Sequence, residues 1–195
     1  MNTTLLTAWQ NTVETAPDAV AIIDAATEKR ITRAELEAEA GAWRDAHGTE
    51  LAGQTVLLAG TNGAGWFRAF LGLLRSNAII APLDPGEPLA AQIATAKAIR
   101  AHWLWSNGEM RPIASGDGRR REDRRLVKLT SGSTGTPRAL AFTDAQMLAD
   151  GRQICEGMDI RPDDLNLGLI PFGHSYGLGN LVIPLLAQGT AIVCG

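Results

Sequence analysis

The chain has 195 residues, 18 Lys and Arg against 21 Asp and Glu, a formal net charge of −3 and 45% apolar residues. That apolar share excludes wholesale disorder, and the slightly acidic balance excludes a global attraction to nucleic acid or an anionic membrane. No window of about 20 residues is apolar and uncharged, so no transmembrane helix is predicted.

Leu5, Leu6, Trp9 and Val13 recur at helical spacing, and Pro17 stops that helix. Residues 19–24 read as a short strand. Thr32 and Glu35 form a capping box opening a helix with Leu36, Ala40 and Trp43 on one face. Residues 56–59 predict a buried strand. A Gly/Asn turn over 60–65 leads to a helix with Trp66, Phe67, Phe70, Leu71 and Leu74, which Asn77 ends. Residues 78–81 read as a strand closed by Pro82, residues 88–100 as a helix and residues 102–105 as another strand.

Residues 115–123 (SGDGRRRED) interrupt the pattern as a charged loop. Its Arg119, Arg120 and Arg121, with Arg124 and Arg125, read as a solvated patch, the alternative being a contact to a CoA phosphate or RNA. Strands are predicted at 126–129 and 139–142. Thr143 and Gln146 cap a helix carrying Met147, Leu148, Ile154, Cys155 and Met158 on its apolar face. A strand at 165–170, a helix at 175–187 and a strand at 190–194 follow. Alternating strands and helices predict an α/β fold. A mostly parallel sheet flanked by helices would hold residues 56–59, 78–81, 165–170 and 190–194.

The most informative stretch is Thr130-Ser131-Gly132-Ser133-Thr134-Gly135-Thr136-Pro137-Arg138. Its glycines let backbone N–H groups converge, its hydroxyls add donors, and Arg138 adds positive charge, a composition suited to polyphosphate. A plain Gly/Ser hairpin turn is the other reading of the same residues. The spacing fits neither GxxxxGK[ST] nor GxGxxG.

TSGSTGTPR resembles the phosphate-binding signature of the AMP-forming adenylating enzymes, a superfamily that includes acyl-CoA synthetases, firefly-type luciferases and peptide-synthetase adenylation domains. ITRAELEAEAGAWRDA, LAGQTVLLAGTNGAGWFRAFLGLLRSNAIIAPLDP and PFGHSYGLGNLVIPLLAQGTAIVCG resemble further segments of that family, in order. The resemblance implies the N-terminal part of the acyl-CoA synthetase-like large domain. It assigns ATP phosphate binding to Thr130, Ser131, Gly132, Ser133, Thr134, Gly135, Thr136 and Arg138. Arg138 stands where the family usually has Lys, keeping the charge on a planar fork.

His174 takes the place of a residue that lines the acyl pocket in acyl-CoA synthetases, and Tyr176 and Gly177 are assigned to the same pocket. Without the resemblance, His174 reads as a helix cap or a partly buried polar residue. A neutral imidazole does not offer the fixed negative charge that amino-acid activators use, so the implied substrate is a carboxylic acid, in particular a fatty acid. Tyr176, Leu178, Leu181, Val182 and Ile183 read either as an acyl wall or as ordinary core. Gly173 stands where the family often has Phe.

The implied cofactors are ATP with Mg2+, and CoA as thiol acceptor. The family's adenine segment, magnesium-binding Glu, ribose-binding Asp and C-terminal domain with its catalytic Lys have no counterpart in these residues. The chain is therefore expected to be a truncated N-terminal AMP-binding domain, with no catalytic residue of its own. It is expected to be inactive alone and to self-associate through apolar surface near residues 181–186 and 190–194. The alternative is a non-catalytic nucleotide-binding or interaction module.

Cys155 and Cys194 cannot build a disulfide framework, which fits a reducing cytoplasm. The first residues, MNTTLLTAWQNTVE, show no secretory signal pattern. His47 and His102 have no metal-ligand partners at recognisable spacing.

Overall fold

A computed structural model describes residues 3–106, 108–114, 124–130 and 138–195. The helix α1 (Leu5–Thr15) opens on a capping box between Thr4 and Thr7 and buries Leu5, Ala8, Trp9 and Thr12. The strands β1 (Val20–Asp24) and β2 (Arg30–Thr32) form an antiparallel pair. Thr32 then caps α2 (Arg33–His47), with Glu35 closing the predicted box. β3 (Thr55–Ala59), α3 (Ala64–Arg75) and β4 (Ile79–Leu83) follow. Asn77 ends α3 with φ of 56°, a left-handed turn that Asn tolerates. Next come α4 (Leu89–Ala98), β5 (Trp103–Ser106) and β6 (Glu109–Pro112). β7 (Leu126–Thr130) and β8 (Arg138–Phe142) pair as an antiparallel ladder. α5 (Asp144–Met158) starts on the Thr143–Gln146 capping box. The chain continues through β9 (Leu165–Leu167), the short α6 (Ser175–Gly177), a π-helical turn (Leu178–Val182), α7 (Ile183–Gln188) and β10 (Ala191–Cys194).

The strands form two sheets rather than the single one expected. The smaller runs β2-β1-β10-β9 and the larger β6-β5-β3-β4-β7-β8. In the larger sheet β5, β3, β4 and β7 are parallel, with antiparallel β6 and β8 at its edges. In the smaller, β1, β10 and β9 are parallel. Residues 56–59 and 79–83 therefore belong to one sheet, and residues 165–167 and 191–194 to the other. Strand periodicity reports that a strand is buried, not which sheet it joins.

The alternation along β3 builds two cores. Val56 and Leu58 enter a large core with α3, α1 and α7, while Leu57 and Ala59 enter a smaller one with Ala96, Ala101 and Leu104. α3 and α4 thus cover opposite faces, and β3, buried on both, reads as an unbroken apolar run. Ile22 and Ile192 of the smaller sheet join the large core, which ties the two sheets together.

Several expectations change. Pro82 lies inside β4 rather than closing it. Ile80 donates its N–H to Arg125 O on the β7 side, so Pro82, two residues on, turns its donor-less nitrogen the same way, past the Ile80–Leu126 pairing with β7. β6 was not anticipated. β9 is three residues long, and Leu165, Leu167 and Leu169 are 53, 65 and 82% exposed. Met158, at the end of α5, is exposed and not part of its apolar face. The predicted helix at 175–187 is broken by the π turn.

Leu181, Val182, Ile183, Leu185, Leu186, Thr190, Ile192 and Cys194 are buried, so the apolar surface expected there is absent. Three of the exposed leucines, Leu165, Leu167 and Leu169, lie at or just after β9, whose described pairing is with β10 alone. Among the described residues no helix is long and apolar enough to cross a membrane.

Both cysteines are free and buried. Burial raises the Cys155 thiol pKa, and burial with Asp24 nearby pushes Cys194 to about 11. Both thiols are therefore expected to resist a thiol reagent at pH 8 in the folded protein and to react within minutes in urea. The sign of the pH effect is set by a raised folded-state pKa: the contribution of Cys194 is intact below its unfolded pKa near 9 and is lost as pH rises toward 11. Urea titrations of Cys194→Ala should flatten that alkaline loss. Rapid native labelling of both thiols would contradict this burial.

Candidate functional site

The root of the serine- and glycine-rich segment is well defined. Thr130 ends β7, Arg138 begins β8, and the two face each other in the ladder. Ser131, Gly132, Ser133, Thr134, Gly135 and Thr136 lie outside the described residues. The strands that flank the segment, β7 and β8, pair as an antiparallel hairpin.

That hairpin is anchored at its base. Arg125 donates through Nε to Asp144 Oδ2 at 3.2 Å and through Nη1 to Ala78 O at 3.2 Å. The other carboxylate oxygen of Asp144 accepts the Leu5 N–H at 2.9 Å, bringing α1 to the same point. Arg124 donates to Ala141 O at 2.9 Å. These two arginines are structural, not part of a solvated patch. Arg119, Arg120 and Arg121 lie outside the described residues. Lys128 bonds Asp150 Oδ2 at 3.0 Å and lies 5.1 Å from the centre of the Phe142 ring, fastening the ladder to α5.

His174 is exposed and is the N-cap of α6. Its Nδ1 accepts the Tyr176 N–H at 3.2 Å, so the cap reading of the lone histidine is met. With Nδ1 as acceptor, Nε2 carries the ring proton. Tyr176 is half-exposed, while Gly177 is buried against Pro171. Leu178, Leu181, Val182 and Ile183 are core.

Two contacts hold the His174 loop. A Cβ at Gly173 would overlap the Leu83 carbonyl and stand 2.8 Å from Asp84 N, so this backbone lies directly on the end of β4. Phe172 is fully buried, with its ring 5.2 Å from Trp66 and 5.0 Å from Phe67. Asn62 clasps the approach. Its Nδ2 donates to Gly168 O at 2.7 Å and Ile170 O at 2.8 Å, and its Oδ1 accepts the Phe172 N–H at 2.8 Å. Sequence reading gave Asn62 only a turn. Its partners are more than a hundred residues away, and no local pattern announces them.

Topology brings the two candidate elements to one edge. β4 and β7 are parallel neighbours paired at Ile80 and Leu126, so Leu83 and Thr130 lie toward the same carboxyl end. The His174 loop rests on Leu83, and the hairpin root is Thr130. Among the described residues no three His, Cys, Asp or Glu side chains cluster, so these residues present no resident metal site.

No family model matches the chain. Solved structures do. The N-terminal subdomain of Klebsiella oxytoca NpsA, in complex with 3-hydroxybenzoyl-AMSN, has a TM-score of 0.80 at 18% identity, covering 100% of this chain and 54% of that one. The inhibitor-bound N-terminal domain of FACL13 from Mycobacterium tuberculosis has a TM-score of 0.83 at 16% identity, covering 98% and 57%. The chain has the fold of the N-terminal domains of adenylate-forming enzymes. Apo MbtA from Mycobacterium smegmatis, with a TM-score of 0.80 at 22% identity, covers 100% of this chain and 44% of its own. The chain spans about half the length of these structures. Within this fold, the two sequence-selected elements are the β7–β8 connection and the loop before α6.

Proposed function

We propose that this chain forms the phosphate-binding and acid-binding side of an AMP-forming ligase. A carboxylate attacks the α-phosphorus of ATP, a C–O–P bond forms, and pyrophosphate leaves. A thiol, with CoA as the acceptor, then displaces AMP to give the thioester. The observation that carries this reading is the shared edge: the Thr130–Arg138 hairpin and the His174 loop both emerge at the carboxyl ends of β4 and β7.

Thr130, Ser131, Gly132, Ser133, Thr134, Gly135 and Thr136 supply N–H and hydroxyl donors to the β- and γ-phosphates, and Arg138 supplies charge. His174, with Tyr176 and Gly177, faces the acid. An imidazole whose Nε2 bears the proton offers a donor to a carboxylate, and no anion to pair with an ammonium group. This supports a carboxylic acid, a fatty acid in particular, over an amino acid. Magnesium belongs to the ATP substrate in this scheme, and no step is assigned to it. The two free, buried thiols suit a cytoplasmic setting.

The test is acid-dependent ATP–pyrophosphate exchange by the whole protein that contains this chain, with fatty, aryl and amino acids compared. Exchange is expected with fatty acids and not with amino acids. Arg138→Ala should lower kcat/KM for ATP by about 10²–10³-fold while leaving the KM for the acid within a few-fold. Equal losses for both substrates would remove Arg138 from phosphate binding. The 195-residue chain by itself is expected to give no exchange. Nucleotide binding without exchange by the whole protein would favour a non-catalytic module.

Self-association is proposed through the edge strand β9, where Leu165 and Leu167, with Leu169 two residues beyond the strand, are exposed. Light scattering on the 195-residue chain should show a dimer or larger, and Leu167→Lys with Leu169→Lys should return it to monomer. A monomeric parent chain at 100 μM or more (about ten times a typical working concentration) would contradict the proposal.

A further inference from the structure

The Asn62 side chain ties the turn between β3 and α3 to the loop that carries His174. Its partners, Gly168, Ile170 and Phe172, stand 106 to 110 residues away in the sequence. Nδ2 has two hydrogens and two carbonyl partners, Gly168 O at 2.7 Å and Ile170 O at 2.8 Å, while Oδ1 accepts the Phe172 N–H at 2.8 Å. An amide meets all three demands, whereas a carboxylate has no donor and an alanine has neither donor nor acceptor.

The clasp reaches His174 through one peptide group. The Phe172 N–H held by Asn62 and the Pro171 carbonyl belong to the same planar unit, so fixing one end fixes the other. That carbonyl accepts the His174 N–H at 3.0 Å. Nδ2 holds Ile170 O, which sets the peptide on the other side of Pro171, and the proline ring fixes φ between the two. His174 follows by bonds within the loop. Its Nδ1 accepts the Tyr176 N–H, and its carbonyl accepts the Leu178 N–H at 2.9 Å.

The other supports described for this loop act differently. The Phe172 ring packs on Trp66 and Phe67, and the Gly173 backbone rests on Leu83. Such contacts limit approach, whereas hydrogen bonds also set direction. The imidazole of His174 is exposed, so its place is inherited from the loop backbone. The β7–β8 hairpin is anchored separately, by Arg125 on Asp144 and Lys128 on Asp150.

We propose that Asn62 is a positioning residue for the acid: acting through the Pro171–Phe172 peptide, it sets where the His174 and Tyr176 side chains stand against the carboxylic acid. This rests on the reading that the His174 loop faces the acid. Loss of the clasp therefore acts on the acid and not on ATP.

Tyr176 is the single tyrosine of the sequence, so the 195-residue chain carrying fluorotyrosine gives one fluorine NMR signal, and it reports on this loop. Asn62→Ala and Asn62→Asp are expected to shift or split that signal. Leu104→Ala, which opens space in the smaller core on the other face of the larger sheet, should leave it in place. In the whole protein that contains this chain, ATP–pyrophosphate exchange gives the second readout. Asn62→Ala should lower kcat/KM for the acid by about 10²-fold, the cost of a misplaced binding group, with KM for ATP within about twofold of the parent. Asn62→Asp keeps the size and the acceptor, and it decides the same comparison where Asn62→Ala does not fold. A merely structural Asn62 would move acid and ATP kinetics together. Such shared losses, or a parent-like fluorine signal in both Asn62 variants, would overturn the inference. His174→Ala separates that failure from failure of the acid-site reading. If it alters the acid kinetics while the Asn62 variants do not, the positioning role alone falls. If none of these variants alters them, the acid-site reading falls with it.

Discussion

Gly173→Ala is expected to destabilise the folded chain by about 3 kcal/mol or more, the range reached when a side chain is forced into occupied space. The added methyl would meet the carbonyl of Leu83 and the N–H of Asp84. These are backbone atoms at the end of a paired strand, so neither can rotate aside as a flexible side chain would. Relief requires the His174 loop to lift from β4, which also pulls on the Asn62 clasp and on the buried Phe172 ring. Urea unfolding of Gly173→Ala against Gly41→Ala and Gly157→Ala tests this. A Cβ at either control position meets nothing within 4 Å, and both lie in helices, where Ala is favoured over Gly by up to about 1 kcal/mol. A Gly173→Ala variant as stable as the parent would show that the loop does not rest on β4. The same contact leaves no room at position 173 for any larger side chain.

Arg33→Met is expected to cost about 3 kcal/mol. Arg33 is the first residue of α2 and is 8% exposed. Its Nη1 donates to Thr12 O at 3.2 Å and its Nη2 to Gly189 O at 2.9 Å. Those carbonyls belong to the last turn of α1 and the C-cap of α7, so one cation faces the negative ends of two helices. Burial lowers the guanidinium pKa, yet an arginine keeps its charge throughout the physiological range.

Replacing a buried ion pair by apolar groups is often neutral, because both charges leave together. Here the acceptors are backbone and remain behind, so the loss of two charge-assisted hydrogen bonds is uncompensated. Arg33→Lys should recover only part of the loss, since an ammonium cannot span both carbonyls as the planar fork does. Urea midpoints of the two variants decide it. Arg33→Met within about 0.5 kcal/mol of the parent would mean that the bridge contributes little.

Much of the local structure was legible in the sequence because it is set by neighbours a few residues apart. The Thr32–Glu35 and Thr143–Gln146 boxes start α2 and α5 as expected, and both pairs close within one turn. Asn77 ends α3 with the left-handed backbone its side chain tolerates. The apolar runs of β3 and β4 mark strands buried on both faces. The hydroxyl- and glycine-rich segment was legible as a connection between strands, and its flanks are β7 and β8.

The tertiary structure decided what depends on distant partners. Which sheet a strand joins is settled by ladder pairing across the chain, as when β1 takes β10 for its neighbour, and burial patterns carry no record of that choice. Arg33 looks like an ordinary first-turn residue until Thr12 and Gly189 converge on it. Asn62 looks like turn chemistry until Gly168, Ile170 and Phe172 arrive. Leu181, Leu185 and Leu186 are apolar in sequence whether covered or not, and only packing shows that they are covered while Leu165, Leu167 and Leu169 are not. Local hydrogen bonding and periodicity are properties of a short segment and can be read from it. Long-range contacts form only when burial of both sheets brings segments together, so their geometry is a property of the folded whole.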